Sequence, residues 1–186
     1  MKVEPIALSL SKGPTVYRNA VLVFLLSACT TWRSPEEGVN ERLARAGREG
    51  IFMELPGTGT LRLSRVEFAE LVVQIADSGR AATVLCRAEG QGSLGDARVS
   101  YIGGETIQLA VGRGGWQPKG PWLPSLAGVL NALAAVPLSG PHSWAIRVER
   151  GHAIASESSA SDGGERVHRF ELDRGPEGWR IASGLL

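Results

Sequence analysis

A period of two in the apolar residues, repeated in short stretches separated by glycine, constrains this chain more than any other feature. Ile107, Leu109 and Val111 alternate with polar or small residues, and Trp144, Ile146 and Val148 do the same. Successive side chains of a strand point to opposite faces, so this alternation predicts sheets with one face buried and the other in water. Strand-like segments run over Ala82–Glu89, Ala97–Ile102, Glu105–Val111 and a piece opened by Trp116, then over Ser143–Arg150, His152–Glu157, Glu165–Asp173 and Trp179–Ser183. A further apolar run, Ile51–Leu55, is broken by Pro56-Gly57-Thr58-Gly59.

Three segments carry helical spacing instead. From Glu37 to Arg48 the residues Val39, Leu43 and Ala46 recur on one face, and Gly47 and Gly50 end the stretch. Ser64 and Glu67 match the S-x-x-E capping box, followed by the stripe Phe68, Leu71, Val72, Ile75 and Ala76, with Gly79 placed as terminator. Pro124 opens a third, whose face is Leu126, Val129, Leu130, Leu133 and Ala134 and which Pro137 closes. The expected fold class is α+β, with antiparallel sheets packed on two to three helices.

The helix starts at Ser64 and Pro124 are each followed by a similar tract. Gly103-Gly104-Glu105 precedes a strand and then Gly114-Gly115-Trp116; Gly163-Gly164-Glu165 precedes a strand and then Glu177-Gly178-Trp179. The offset is 60 residues at the Gly-Gly-Glu and 63 at the tryptophan. This suggests a tandem helix-plus-meander duplication with halves 61–120 and 121–186 inside one domain, 39–186.

Composition narrows the function. Hydrophobic residues make up 43% and charged residues 21%, which excludes a wholly disordered chain and a polytopic membrane protein. A formal net charge of +1 argues against a general nucleic-acid binder, which needs excess cationic groups to displace phosphate counterions.

Residues 20–26, Ala-Val-Leu-Val-Phe-Leu-Leu, are too few to span a bilayer but suit the apolar core of a secretory signal, with Lys2, Lys12 and Arg18 before it. Leu26-Ser27-Ala28-Cys29 follows. This stretch resembles the lipobox of bacterial lipoproteins: a large aliphatic residue, two small ones and a cysteine. The resemblance implies a signal peptide at 1–28 that is cut before Cys29. It also implies diacylglycerol and a further acyl chain such as palmitate on that residue, and a tether at 29–38. Two or more acyl chains hold a protein stably on a membrane it does not penetrate. With Thr30 and Thr31 after the cysteine and no aspartate at the second position, the same resemblance implies the outer membrane, facing the periplasm. The other cysteine, Cys86, lies in an apolar run and reads as a buried small hydrophobe, leaving no disulfide.

No residue stands out as catalytic. Gly90-Gln91-Gly92-Ser93-Leu94-Gly95 has the G-x-G-x-x-G spacing, but a strand rather than a helix follows, so it reads as a hairpin loop and no dinucleotide is expected. His142 and His152 sit by turns and His168 shares a strand face with Phe170 and Leu172; no metal signature is present. Asp162 reads as a polar hairpin tip. Trp32 lies near Cys29, at headgroup depth if the cysteine is acylated. Trp116 and Trp122 flank Pro118, Gly120 and Pro121 and form either a ligand or partner patch or a packing plug. The closing tract, His168–Leu172 through Gly178–Ile181, resembles the last hairpin of nuclear-transport-factor-like cone domains, which implies a shape and no activity.

The expected function is therefore that of a non-catalytic envelope lipoprotein that binds another envelope protein or a small ligand, or serves structurally. It needs no cofactor, metal or nucleic acid. The alternative is an envelope hydrolase using His142 or His152 with a distant carboxylate.

Overall fold

The computed structural model describes residues 34–136, 142–161 and 164–185, and its folded unit begins at Pro35. Cys29, Trp32 and Asp162 lie outside the described residues.

The unit opens with helix α1 (Pro35–Glu49), followed by β1 (Ile51–Leu55), β2 (Gly59–Ile75), β3 (Ala81–Leu94), β4 (Ala97–Gly112) and β5 (Gly115–Pro118). Helix α2 (Pro124–Leu133) then precedes β6 (His142–Glu149), β7 (His152–Ser161), β8 (Gly164–Gly175) and β9 (Gly178–Leu185). The strands form one nine-stranded sheet in the order β1-β2-β3-β4-β6-β7-β8-β9, with β5 beside β4. The fold is thus a mostly-sheet α+β architecture, with a single sheet where several were expected. The sheet is also mixed: β4 and β6 run parallel over Arg98–Gly103 and Ser143–Val148, while the other pairs are antiparallel.

The segment from Ser64 is not a helix. It is the body of β2, hydrogen-bonded to β3 from Leu61 to Ile75. Two irregularities, between Leu63 and Arg65 and between Ala69 and Val72, shift its register. Each shift reverses the inward phase of the alternation, so Val66 and Phe68 face the same side as Val73 and Ile75 although Val73 stands five positions after Phe68, an odd step. An odd spacing of this kind imitates helical periodicity.

The two remaining helices occur where their patterns place them. In α1, Glu36 and Glu37 lie in the first turn and Arg48 in the last, complementing the backbone dipole. Its buried residues are Val39, Leu43, Ala46 and Gly47. The α2 helix buries Ser125, Leu126, Ala127, Val129, Leu130 and Leu133, more than one stripe, as suits a helix enclosed by other elements. It contacts β4 and β6 and also β1 and β9, which stand at opposite ends of the strand order. The sheet therefore curls around α2.

Two packed clusters fill the helix-covered face. The larger joins α2 to Ile51, Leu61, Leu63, Val99, Ile146 and Leu172; the smaller joins Val39 and Leu43 to Val84, Ile107, Leu109 and Trp116. Phe68 and Trp122 pack against both. Each fully buried aliphatic side chain contributes about 1.5–3 kcal/mol by leaving water. The other face carries Arg62, Arg65, Glu67, Arg87, Glu89, Arg98 and Arg147, all exposed, so the sheet is wetted on one side as the alternation predicts.

Candidate functional site

The tryptophan pair is mostly inside the protein. Trp116 lies on β5 opposite Val111 and is buried in the α1 cluster. Gly38 makes room for it, since a Cβ there would lie 2.9 Å from the indole Nε1. Arg42 of α1 donates from Nε to the Trp116 carbonyl at 3.0 Å and holds its guanidinium 4.9 Å from the centre of the Trp122 ring. Trp116 is thus held within the packing, and Arg42 covers a face of the half-buried Trp122.

The histidines divide between the two faces of the sheet. His152 is on the outer face, where its Nδ1 lies 2.9 Å from Asp173 Oδ1. His142 and His168 project from the helix-covered side, on the strands that carry Trp144 and Phe170. His142 meets Trp144 edge-on, with ring centres 6.2 Å apart. His168 Nδ1 is 3.8 Å from Glu157 Oε2. Among the described residues no three His, Cys, Asp or Glu side chains group to hold a metal ion. Glu157 is fully buried beside Trp144 and His168, and its Oε2 has no hydrogen-bond partner among the described residues.

A second buried carboxylate has many partners. Glu105 on β4 accepts from the Tyr101 hydroxyl at 2.7 Å, the Ser125 amide at 2.9 Å and the Leu126 amide at 3.2 Å. Ser125 Oγ donates to the Gly104 carbonyl at 3.1 Å. Leu123, at the N-cap of α2, supplies no side-chain acceptor, so Glu105 caps the helix from the neighbouring strand. Burial raises the Glu105 carboxyl above its ordinary value, and the hydrogen bonds from Ser125, Tyr101 and Leu126 oppose that rise only in part. Cys86 faces Glu105 across the β3–β4 ladder. Burial first, then the Glu105 charge, push its thiol up to about 12. The same two causes raise the Tyr101 hydroxyl. This cluster fastens α2 to the sheet and leaves Cys86 without a reactive thiolate. Its sequence signal was the acidic residue in an apolar strand, together with a helix that starts Leu123-Pro124 without its own cap.

The outer face holds a trough where the sheet forks. On its free side β4 pairs with β6 as far as Gly103 and with β5 only from Leu109. Gly104 lies at the parting, opposite Arg87 of β3. The trough has a volume of about 570 Å³ and is lined by Glu70, Arg87, Arg147, Glu149 and Arg150, with Leu85 and Ile102 among its apolar walls. Arg147 Nε donates to Glu149 Oε1 at 2.8 Å. The G-x-G-x-x-G stretch runs elsewhere: Gly90–Leu94 belong to β3, and only Gly95 and Asp96 turn.

Comparison with protein-family models, curated proteins and solved structures found no match to this chain.

Proposed function

We propose that this chain is an envelope lipoprotein anchored through Cys29, whose folded body binds a ligand or partner at a membrane surface without catalysing a reaction. The observation that carries this reading is Leu26-Ser27-Ala28-Cys29 behind a short apolar run, six positions before the folded unit starts at Pro35. Several features support it. The other cysteine is buried and free, compatible with an exported domain that folds without a disulfide. No described helix is long and apolar enough to cross a membrane, so a lipid would be what holds these elements to a bilayer. His152 lies on the opposite face of the sheet from His142 and His168. Fractionation and mass analysis of the amino terminus test the proposal. Wild type should be membrane-bound and acylated at Cys29, and Cys29→Ser should be neither. An unmodified, unanchored wild type would refute it.

The 2.9 Å contact of His152 with Asp173 favours a second reading, an envelope hydrolase with His152 as general base. Turnover of activated esters that disappears in His152→Ala would support it, and equal turnover by both proteins would dismiss it.

We further infer that the chain repeats a helix-plus-four-strand unit. The order α1-β1-β2-β3-β4 recurs as α2-β6-β7-β8-β9, which moves the halves to 35–118 and 124–185. Superposition of the two four-strand meanders tests this, and unrelated strand geometries would reject it; the helices are placed differently, α1 packing on β2 and α2 on β4 and β9.

A further inference from the structure

We propose that the trough over Gly104 binds a small zwitterion, a molecule with one carboxylate or phosphate group and one ammonium group a few bonds apart. This inference does not depend on the lipid anchor.

The space comes from a missing side chain. Gly104 sits on the outer face between Arg87 on β3 and the end of β6, where Gly103 is the last β4 residue to pair, with Val148. A Cβ added at Gly104 would meet no atom within 4 Å. The trough's volume, about 570 Å³, falls within the range of small-molecule sites.

The charges around it are only partly spent. Arg147 is engaged by Glu149, but Arg87, Arg150 and Glu70 have no ion-pair partner among the described residues. Arg87 and Arg150, on opposite sides of Gly104, each offer the planar fork that takes an oxyanion through paired N–H donors. Glu70 offers a carboxylate acceptor to an ammonium group. A simple anion would leave Glu70 repelling it, and a simple cation would meet the arginines; a molecule bearing both charges satisfies the arginines and Glu70 together.

The backbone favours the same place. Among the described residues the non-glycine residues with left-handed φ are Glu70 at 53° and Arg150 at 47°, and both line this trough. Arg150 precedes Gly151 in the two-residue turn between β6 and β7, a position where asparagine or glycine would sit with less strain. Glu70 lies in the irregular stretch of β2 between Ala69 and Val72, and such bulges redirect a side chain.

Calorimetry on the full chain tests the proposal, with phosphoethanolamine and β-alanine as probes and inorganic phosphate and ethanolamine as half-ligands. At least one zwitterion should bind at least about tenfold more tightly than either half-ligand. Gly104→Val should abolish binding with an unchanged circular dichroism spectrum, because its side chain enters open space. Arg87→Gln should weaken binding of zwitterion and phosphate alike, whereas Glu70→Gln should weaken only the zwitterion; these two keep the test valid if Gly104→Val does not fold. Displacement of phosphoethanolamine by micellar phosphatidylethanolamine would identify a lipid headgroup as the source, and its absence a free solute. No heat with either zwitterion, undiminished binding in a folded Gly104→Val, or a half-ligand bound as tightly as the better zwitterion would overturn the inference.

Discussion

Glu105 Oε2 accepts the backbone amide of Ser125 at 2.9 Å across 20 residues of chain, so the start of α2 is closed by a carboxylate that belongs to β4. Removing it orphans two helix amides and the buried Tyr101 hydroxyl together. Glu105→Ala is expected to lower unfolding stability by about 3 kcal/mol in urea denaturation. Glu105→Gln retains an acceptor and should lose less. Equal stability of Glu105→Ala and wild type would show that α2 needs no cap.

The same carboxyl sets a pH dependence. Burial lifts it above its ordinary value, 4.5, in the folded chain, so folding favours its protonated form. Its contribution is full below the unfolded value and is lost as the pH rises through the folded one. The stability of wild type relative to Glu105→Gln should therefore fall as the pH is raised above about 4.5. Urea midpoints of both proteins across that range give the comparison, and a difference that grows with pH would contradict it.

Glu157 should behave in the opposite way to Glu105 on replacement. It is buried, and its Oε2 has no hydrogen-bond partner among the described residues. Glu157→Met exchanges an unsatisfied oxygen for an apolar group of similar length, and His168 keeps some access to water. Thermal unfolding should show a gain of about 1 kcal/mol. A marked loss would mean that the His168 contact at 3.8 Å matters more than the geometry suggests.

Gly128 lets β9 approach α2. A Cβ there would lie 2.4 Å from Trp179 Cδ1. Gly128→Ala should destabilise wild type although alanine is the better helix former by about 1 kcal/mol. In a Trp179→Ala background the same substitution should become stabilising. The double-mutant cycle measures the coupling, and additive effects would remove the steric explanation.

Cys86, raised to about 12 by burial and by Glu105, should resist maleimide at mildly alkaline pH and react once urea unfolds the chain. Rapid labelling of native protein would contradict the buried position of the thiol.

Where a pattern was local and continuous it could be read. Val39, Leu43 and Ala46 announced α1, Pro124 announced α2, and the alternations at Ile107 and Trp144 marked β4 and β6. The stretch after Ser64 misled because β2 changes phase at its irregularity between Ala69 and Val72, and alternation in two phases joined by an odd step has the spacing of a helix. The exposed Leu71 and Val72 completed the false stripe. Glu70 with its left-handed φ marks the break, but glutamate carries no sequence cue for that conformation. Candidate chemistry was less legible because it is assembled from distant strands. Arg87, Gly104 and Arg150 meet only through the β3–β4 ladder and the parallel contact of β4 with β6, and nothing in their spacing announces it. Trp116 was conspicuous as a residue type, but its burial depends on Gly38, far away in sequence.

That parallel contact also shapes how the chain acquires its structure. Each meander grows by neighbouring hairpins, which close quickly. The β4–β6 seam must join positions such as Ser100 and Trp144, 44 residues apart, and a wide loop must lose its freedom before those pairs can form. Loop closure thus predicts that the seam forms after the hairpins, and until it does the edge of β4 that receives β6 is an unpaired margin on which a second nascent chain can pair.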